Sequence, residues 1–300
     1  MPAGQPFTAL CQALSRGCLR SRADLHLHST CSDGTYTPAQ LVELARRCGL
    51  SAIALTDHDT LAGVPLARAA AADSGLEIIP AVEITTEYQD RELHLLAYWI
   101  DEENGDLQAA LAQVRHGRVE RFAALVEALR RQGLAVDDAH IDWQRQSLGR
   151  RYLAEVLVAQ GLAGSIREVF GRWLSEAATA RFPKYRLPIA QAIALVRRAG
   201  GVAALAHPAY HDTHRLLGEL TALGLGAVEA EYPDFRRSQS QQLRRWAAHL
   251  GLAISGGSDC HGPGRRGVGS CTISDQELRR LRQQRGEVCS VPSTKNSSKA

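Results

Sequence analysis

Apolar residues between positions 22 and 100 come in short runs separated by stretches of helical spacing. Residues 23–28 read as a strand. Thr37 then offers an N-cap with Pro38 at the first helical position, and a helix runs to Cys48 with Gly49 just past its end. Residues 51–56 form a second strand, and an alanine-rich helix follows, ending at Ser74-Gly75. Residues 77–83 and 92–99 are the third and fourth strands, the latter paired with its neighbour, so the pattern to this point is βαβαββ. From Asp101 to about Pro183 the period changes: Val119, Phe122, Leu125, Val126 and Leu129 mark helices, glycines punctuate them, and no strand is indicated. Alternation resumes with helix 189–199, strand 202–206, helix 213–223, strand 227–231, helix 238–250, strand 252–255 and helix 275–284.

About seven short strands alternating with helices predict an α/β fold with a closed or nearly closed parallel barrel. The barrel is expected over 22–100 and 184–290, interrupted by a helical subdomain at 101–183. Residues 1–21 read as a loose extension without the unbroken apolar core of a signal peptide, and 291–300 as a disordered polar tail. In such barrels active sites lie at the carboxyl ends of the strands.

That edge is where the candidate chemistry collects. His26 and His28 are two apart on a strand, so both rings face one side. His26, His28, His58, Glu83, His207, Asp259 and His261 fall at or just past the ends of five strands and would converge. Adding Asp33 and His94 gives nine candidate ligands, more than one ion takes, so two or three ions are expected, with Glu83 bridging a pair. Closely spaced metals can share a bridging hydroxide and neutralise a phosphoryl group, which points to phosphoester hydrolysis centred on His26, His28, Glu83, Asp259 and His261. Taken singly the residues say less: His94 reads as a hydrogen-bonded core histidine, and Glu83 or Asp259 as a helix cap. Asp57 and Asp59 are expected to orient His58 or its neighbours, and Cys260 to face away. Gly256 and Gly257 are read as allowing a sharp turn before Asp259. No G-x-S-x-G elbow, Walker loop or GxGxxG fingerprint competes.

Charge narrows the partners. With 35 basic and 32 acidic side chains the chain is nearly neutral, which gives no basis for stable duplex DNA or membrane binding. No apolar stretch approaches the ~20 residues a membrane span needs. Seven cysteines without a CxxC pair fit a reducing cytoplasm. Arg118, Arg121, Arg150, Arg151 and Lys184 are the candidate phosphate-binding residues, with Arg265 and Arg266 ranked below them.

The motifs Asp24-Leu25-His26-Leu27-His28-Ser29, Thr56-Asp57-His58-Asp59, Val82-Glu83-Ile84, His207-Pro208 and Ser258-Asp259-Cys260-His261 resemble those of the PHP (polymerase and histidinol phosphatase) metal-dependent phosphoesterases. The resemblance implies a distorted (β/α)7 barrel and three metal positions. One would be held by His26, His28, Glu83 and Asp259, a second by Glu83, His94 and His207, and a third by Asp33, His58 and His261. Asp33 stands where some branches carry histidine, and an oxygen ligand there favours manganese or iron; manganese is the first expectation, with iron or zinc as alternatives. Length and helical insert resemble the stand-alone bacterial branch related to RNase AM, which implies a 3′,5′-nucleoside bisphosphate phosphatase or a 5′→3′ exonuclease on short 5′-phosphorylated RNA. Ser147-Leu148-Gly149-Arg150-Arg151-Tyr152 resembles that branch's Gly-Arg-x-His-like motif, with Tyr152 in the histidine position. The rival expectations are a histidinol-phosphate phosphatase and a non-catalytic module in which metals only stabilise the fold.

Overall fold

The computed structural model describes residues 22–143, 145 and 148–285. The expected extension 1–21, the tail 291–300 and Ser147 lie outside the described residues. Strand β1 (Arg22–Leu27) leads to helix α1 (Pro38–Arg47), strand β2 (Ala52–Leu55), helix α2 (Gly63–Ala70), and strands β3 (Glu77–Tyr88) and β4 (Arg91–Tyr98). Thr37 caps α1 as expected, in a capping box with Gln40.

Next come α3 (Gly105–Arg131), a 3₁₀ turn at Asp138–His140, and three shorter helices: α4 (Arg150–Ala159), α5 (Ile166–Arg172) and α6 (Glu176–Thr179). The two-residue strand β5 (Leu187–Pro188) opens the return, followed by α7 (Ile189–Arg198), β6 (Val202–Leu205), α8 (Thr213–Ala222) and β7 (Ala227–Glu231). The chain continues through α9 (Arg237–Leu250), β8 (Ala253–Gly256), β9 (Ile273–Ser274) and α10 (Asp275–Gln283). No helix among the described residues is long and apolar enough to cross a membrane.

The strands run in the order β8-β7-β6-β4-β3-β2-β1-β9, with β5 beside β3. The segment after β8 closes the ring: Asp259 donates its N–H to the His26 carbonyl at 2.8 Å, and His28 donates to that of Cys260 at 3.0 Å. The barrel is not wholly parallel. β4 runs antiparallel to both β3 and β6, and β9 antiparallel to β1. β3 and β4 are joined only by Gln89 and Asp90, at φ 51° and 62°, so this connection is a hairpin and has no room for a crossover helix.

β3 also outruns its predicted end. Its first residues pair with β2 through Leu55↔Pro80, and the strand then continues to Tyr88 against β4. Glu83 therefore sits within a strand and not at its end. It reaches the mouth because β2 stops at Leu55 while β3 goes on.

Inside the ring, small side chains (Ala52, Ala54, Ala81, Ala204, Ala227) surround Leu25, Leu96 and Tyr98. The Tyr98 hydroxyl crosses this interior, donating to the Leu25 carbonyl at 3.1 Å and sharing a hydrogen bond with the Ser255 hydroxyl at 2.7 Å. The helical stretch has a separate apolar cluster built on Phe122, Leu125, Leu129, Leu153 and Leu157. Val119 lies on its exposed side.

Candidate metal centre

Strand pleat brings His26 and His28 onto one face of β1, their Nε2 atoms 3.1 Å apart. Two ring nitrogens this close share at most one proton, and without it two lone pairs oppose each other. Asp259, at φ 52°, turns Oδ1 toward both rings, 3.4 Å from His26 Nε2 and 3.2 Å from His28 Nε2. Its Oδ2 accepts from the Tyr232 hydroxyl at 2.8 Å and from Arg266 at 2.5 Å.

Glu83, only 1 % exposed, is the hub. Its Oε2 lies 3.2–3.3 Å from nitrogens of His26, His28 and His58, and its Oε1 lies 2.8 Å from His94 Nδ1 and 3.2 Å from His207 Nε2. Asp33 faces His28, His58 and His261 at 3.4–3.7 Å. All nine sequence-predicted ligands thus meet at one mouth. They form overlapping sets: His28-Asp33-His58-His261, His26-His28-Asp259, His26-Glu83-His207 and His58-Glu83-His94. The separation into three groups implied by the resemblance is blurred, since His26, His28 and His58 each belong to two sets.

The donors suit divalent cations, being imidazoles and carboxylates around a buried space. The buried Nδ1 atoms of His28 and His58 have no hydrogen-bond partner, which is costly unless something else satisfies them. Charge tells the same story. Burial opposes protonation of His28, but hydrogen bonds that its ring donates to Asp259 and Glu83 outweigh it and raise its pKa to about 10. His94 is likewise raised to about 9, burial being overcome by the Glu83 charge. His58, where burial wins, is lowered to about 3. Protons here do the neutralising that a cation would do better.

The supporting shell was only partly visible in the sequence. Glu229, fully buried in β7, accepts His26 Nδ1–H at 2.9 Å and the His207 backbone N–H at 2.6 Å. It thereby leaves the His26 Nε2 lone pair directed inward. Asp57 and Asp59 bond to neighbours of His58 and not to its ring. Asp57 accepts from Ser29 and Ser32, and Asp59 from Thr85 and Arg118. Cys260 is buried in the apolar layer beneath α1, facing away as expected. The reading of Gly256 and Gly257 as turn residues is corrected. Neither has positive φ, but a Cβ on Gly257 would lie 2.3 Å from the His26 nitrogen, so the need is close approach of β8 to β1. Of the non-glycine residues with positive φ, Asp59, His207 and Asp259 are strained positions at the site itself.

Beside the cluster, Arg118, Arg121, Arg150 and Lys184 line a cavity of about 540 Å³. Arg186, which the sequence did not single out, joins them. It donates to Glu92 at 2.8 Å, as Lys184 does at 2.5 Å, and Glu92 lies 3.4 Å from His94, linking this wall to the cluster. Arg151 is elsewhere. One step further around α4, it faces solvent and pairs with Glu155 at 2.8 Å. Arg265 is 79 % exposed and pairs with Asp234, while Arg266 sits over the Tyr232 ring. Tyr152 accepts the Asp142 backbone N–H at 2.6 Å and stacks on Phe122, so it pins a loop.

The PHP domain model matches residues 24–183, more than half of the chain. The chain belongs to the PHP family. Among PHP relatives, the Haemophilus influenzae protein named 5′-3′ exoribonuclease is 32 % identical over 252 residues, 82 % of this chain and 92 % of that protein. The Chromobacterium violaceum 3′,5′-nucleoside bisphosphate phosphatase is 31 % identical over 252 residues, covering 81 % and 88 %. A solved structure from Bifidobacterium adolescentis, described as a metal-dependent phosphoesterase, superposes with a TM-score of 0.77 at 30 % identity, over 89 % of this chain and 97 % of that one. The PHP barrel expected from the motifs is thus the fold observed.

Proposed function

We propose that this PHP protein is a metal-dependent hydrolase of nucleotide phosphate esters, acting on 3′,5′-nucleoside bisphosphates and on the 5′ ends of short 5′-phosphorylated RNA. One observation carries the reading: a cavity walled by Arg118, Arg121, Arg150, Lys184 and Arg186 opens beside a half-buried cluster of six imidazoles and three carboxylates. A substrate with two phosphates can place one in each. The names of the H. influenzae and C. violaceum relatives support the same substrate class.

In this proposal His26, His28, Glu83 and Asp259 hold one divalent ion, Glu83, His94 and His207 a second, and Asp33, His58 and His261 a third. Manganese is the first choice, with iron or zinc next. Bound there, such ions withdraw charge from phosphoryl oxygens and make water a competent nucleophile near neutral pH.

The protein's own groups do the rest. Glu229 fixes the His26 tautomer. The Asp259 backbone carbonyl accepts the His261 Nδ1–H at 3.0 Å, leaving Nε2 toward Asp33. Glu92 holds Lys184 and Arg186 extended along the cavity wall, and Asp59 with Thr85 does the same for Arg118. Guanidinium forks so fixed bind the phosphate that is not cleaved, and that remote binding positions the scissile one. The helical stretch 101–183 acts in this scheme as the substrate-recognition unit of the barrel.

Phosphate release from 3′-phosphoadenosine 5′-phosphate and histidinol phosphate, and nucleoside monophosphate release from a short 5′-phosphorylated RNA, test the reading. We expect metal-dependent turnover of the bisphosphate and the RNA. Exclusive turnover of histidinol phosphate, which has one phosphate, would overturn the substrate assignment. Turnover untouched by a chelator would overturn the metal assignment.

A further inference from the structure

Three cavities meet where the helical stretch faces the barrel, and Phe182 lines all of them. They are the basic cavity, one of about 640 Å³ on the other side of the 183–186 strap, and one of about 660 Å³ reaching to Trp173. The Phe182 carbonyl accepts from Arg121 Nε at 2.9 Å, so the backbone that carries the ring is tied to a guanidinium lining the basic cavity. The Arg181 guanidinium lies over the ring, 5.1 Å from its centroid, and covers one of its two faces. The ring itself is half-buried. Phe122, which also lines the basic cavity, is only 1 % exposed and is packed by Trp143 and Tyr152, so its faces are taken.

The basic cavity sets five cationic side chains against three carboxylates. A ligand suited to these surroundings carries an anionic group and, next to it, a flat apolar ring. The cleft toward Trp173 gives that ring room, with Leu125, Ala178 and Ala180 as walls and Arg172 and Arg181 at its edges. We infer that Phe182 is the platform on which the base of a bound nucleotide stacks, while the nucleotide's 5′-phosphate lies among Arg121, Arg150 and Lys184. The inference rests on the nucleotide reading above and names the residue that recognises the base. Stacking on one aromatic face reads no hydrogen-bonding edge, so the site accepts purines and pyrimidines alike.

Calorimetric binding to the full chain separates stacking from packing. Adenosine 5′-phosphate and uridine 5′-phosphate should each bind at least about fivefold more tightly than ribose 5-phosphate, the range of one base–aromatic stack. Phe182→Leu, which keeps apolar volume, should erase that preference and leave ribose 5-phosphate affinity unchanged, and Phe182→Tyr should restore it. Equal binding of nucleotide and sugar phosphate by the wild-type chain would overturn the inference. So would a Leu variant that weakens both alike, or a Tyr variant that fails to recover the preference. Turnover of the nucleoside 3′,5′-bisphosphate in the same preparations is read separately. Turnover without base preference removes Phe182 alone, and base preference without turnover removes the phosphatase reading alone.

Discussion

Glu229 sets the protonation of a ring it does not share with any substrate. With Nδ1–H of His26 and the N–H of His207 both donated to it, its two oxygens are committed, and His26 can offer only Nε2 to the cluster. Glu229→Gln keeps the volume but must turn an NH2 toward one of these donors. We expect divalent-ion affinity to fall by about 10- to 100-fold with the fold intact, measured by calorimetric titration of chelator-treated protein; unchanged affinity would show that packing alone orients His26. The nine clustered side chains were legible because His, Asp and Glu interrupting or closing apolar runs are conspicuous, even though Glu83 and His94 lie inside strands and not at their ends. Glu229 was not, because it alternates with Glu231 in Ala227–Glu231, and two carboxylates at period-two spacing without a histidine read as an ordinary solvated strand face. Arg151 failed for the opposite reason. Its type suited phosphate, but neighbours in a helix are ~100° apart, so Arg150 and Arg151 cannot both face the cavity.

At the scale of elements, α3 and the strap that follows the helices depend on one glycine. Gly117 is buried in α3, and a Cβ there would stand 2.5 Å from Tyr185 Cβ. A glycine-to-alanine change inside a helix ordinarily stabilises by about 1 kcal/mol. Here the added methyl must displace the strap, and we expect Gly117→Ala to destabilise by about 1–3 kcal/mol, the usual cost of overpacking. Because Lys184 and Arg186 flank Tyr185, KM for a bisphosphate should rise with little change in kcat. Urea unfolding with steady-state kinetics checks both signs, and a stabilised variant would mean that the strap moves freely. Most elements were legible to within a residue or two, since caps and glycine stops are local chemistry. The short β5 and β9 were not, because partners far along the chain create them, and the hairpin that extends β3 to Tyr88 against an antiparallel β4 was not, because its Gln89-Asp90 turn lacks the glycine that signals one.

For the whole molecule, the cluster is also a seam. Its residues run from His26 to His261 and join β1, the loops after β1 and β2, β3, β4, and the segments after β6 and β8. A cation bound here but not to the unfolded chain stabilises the whole barrel, by about 2.7 kcal/mol at a hundred times its dissociation constant. The metal-free protein depends instead on protons. His28 and His94 are raised to about 10 and 9, against about 6.5 when unfolded. The stability they contribute is complete below about pH 6.5 and is lost as pH rises through 9 and 10. The same protons compete with metal, so loading becomes easier as they leave. Both effects act in one direction: the difference in Tm between metal-loaded and chelator-treated protein should widen from pH 6.5 to 9. Scanning calorimetry at fixed free metal measures it. A gap that is constant or narrows with pH would mean that His28 and His94 are not the groups whose protons the metal displaces.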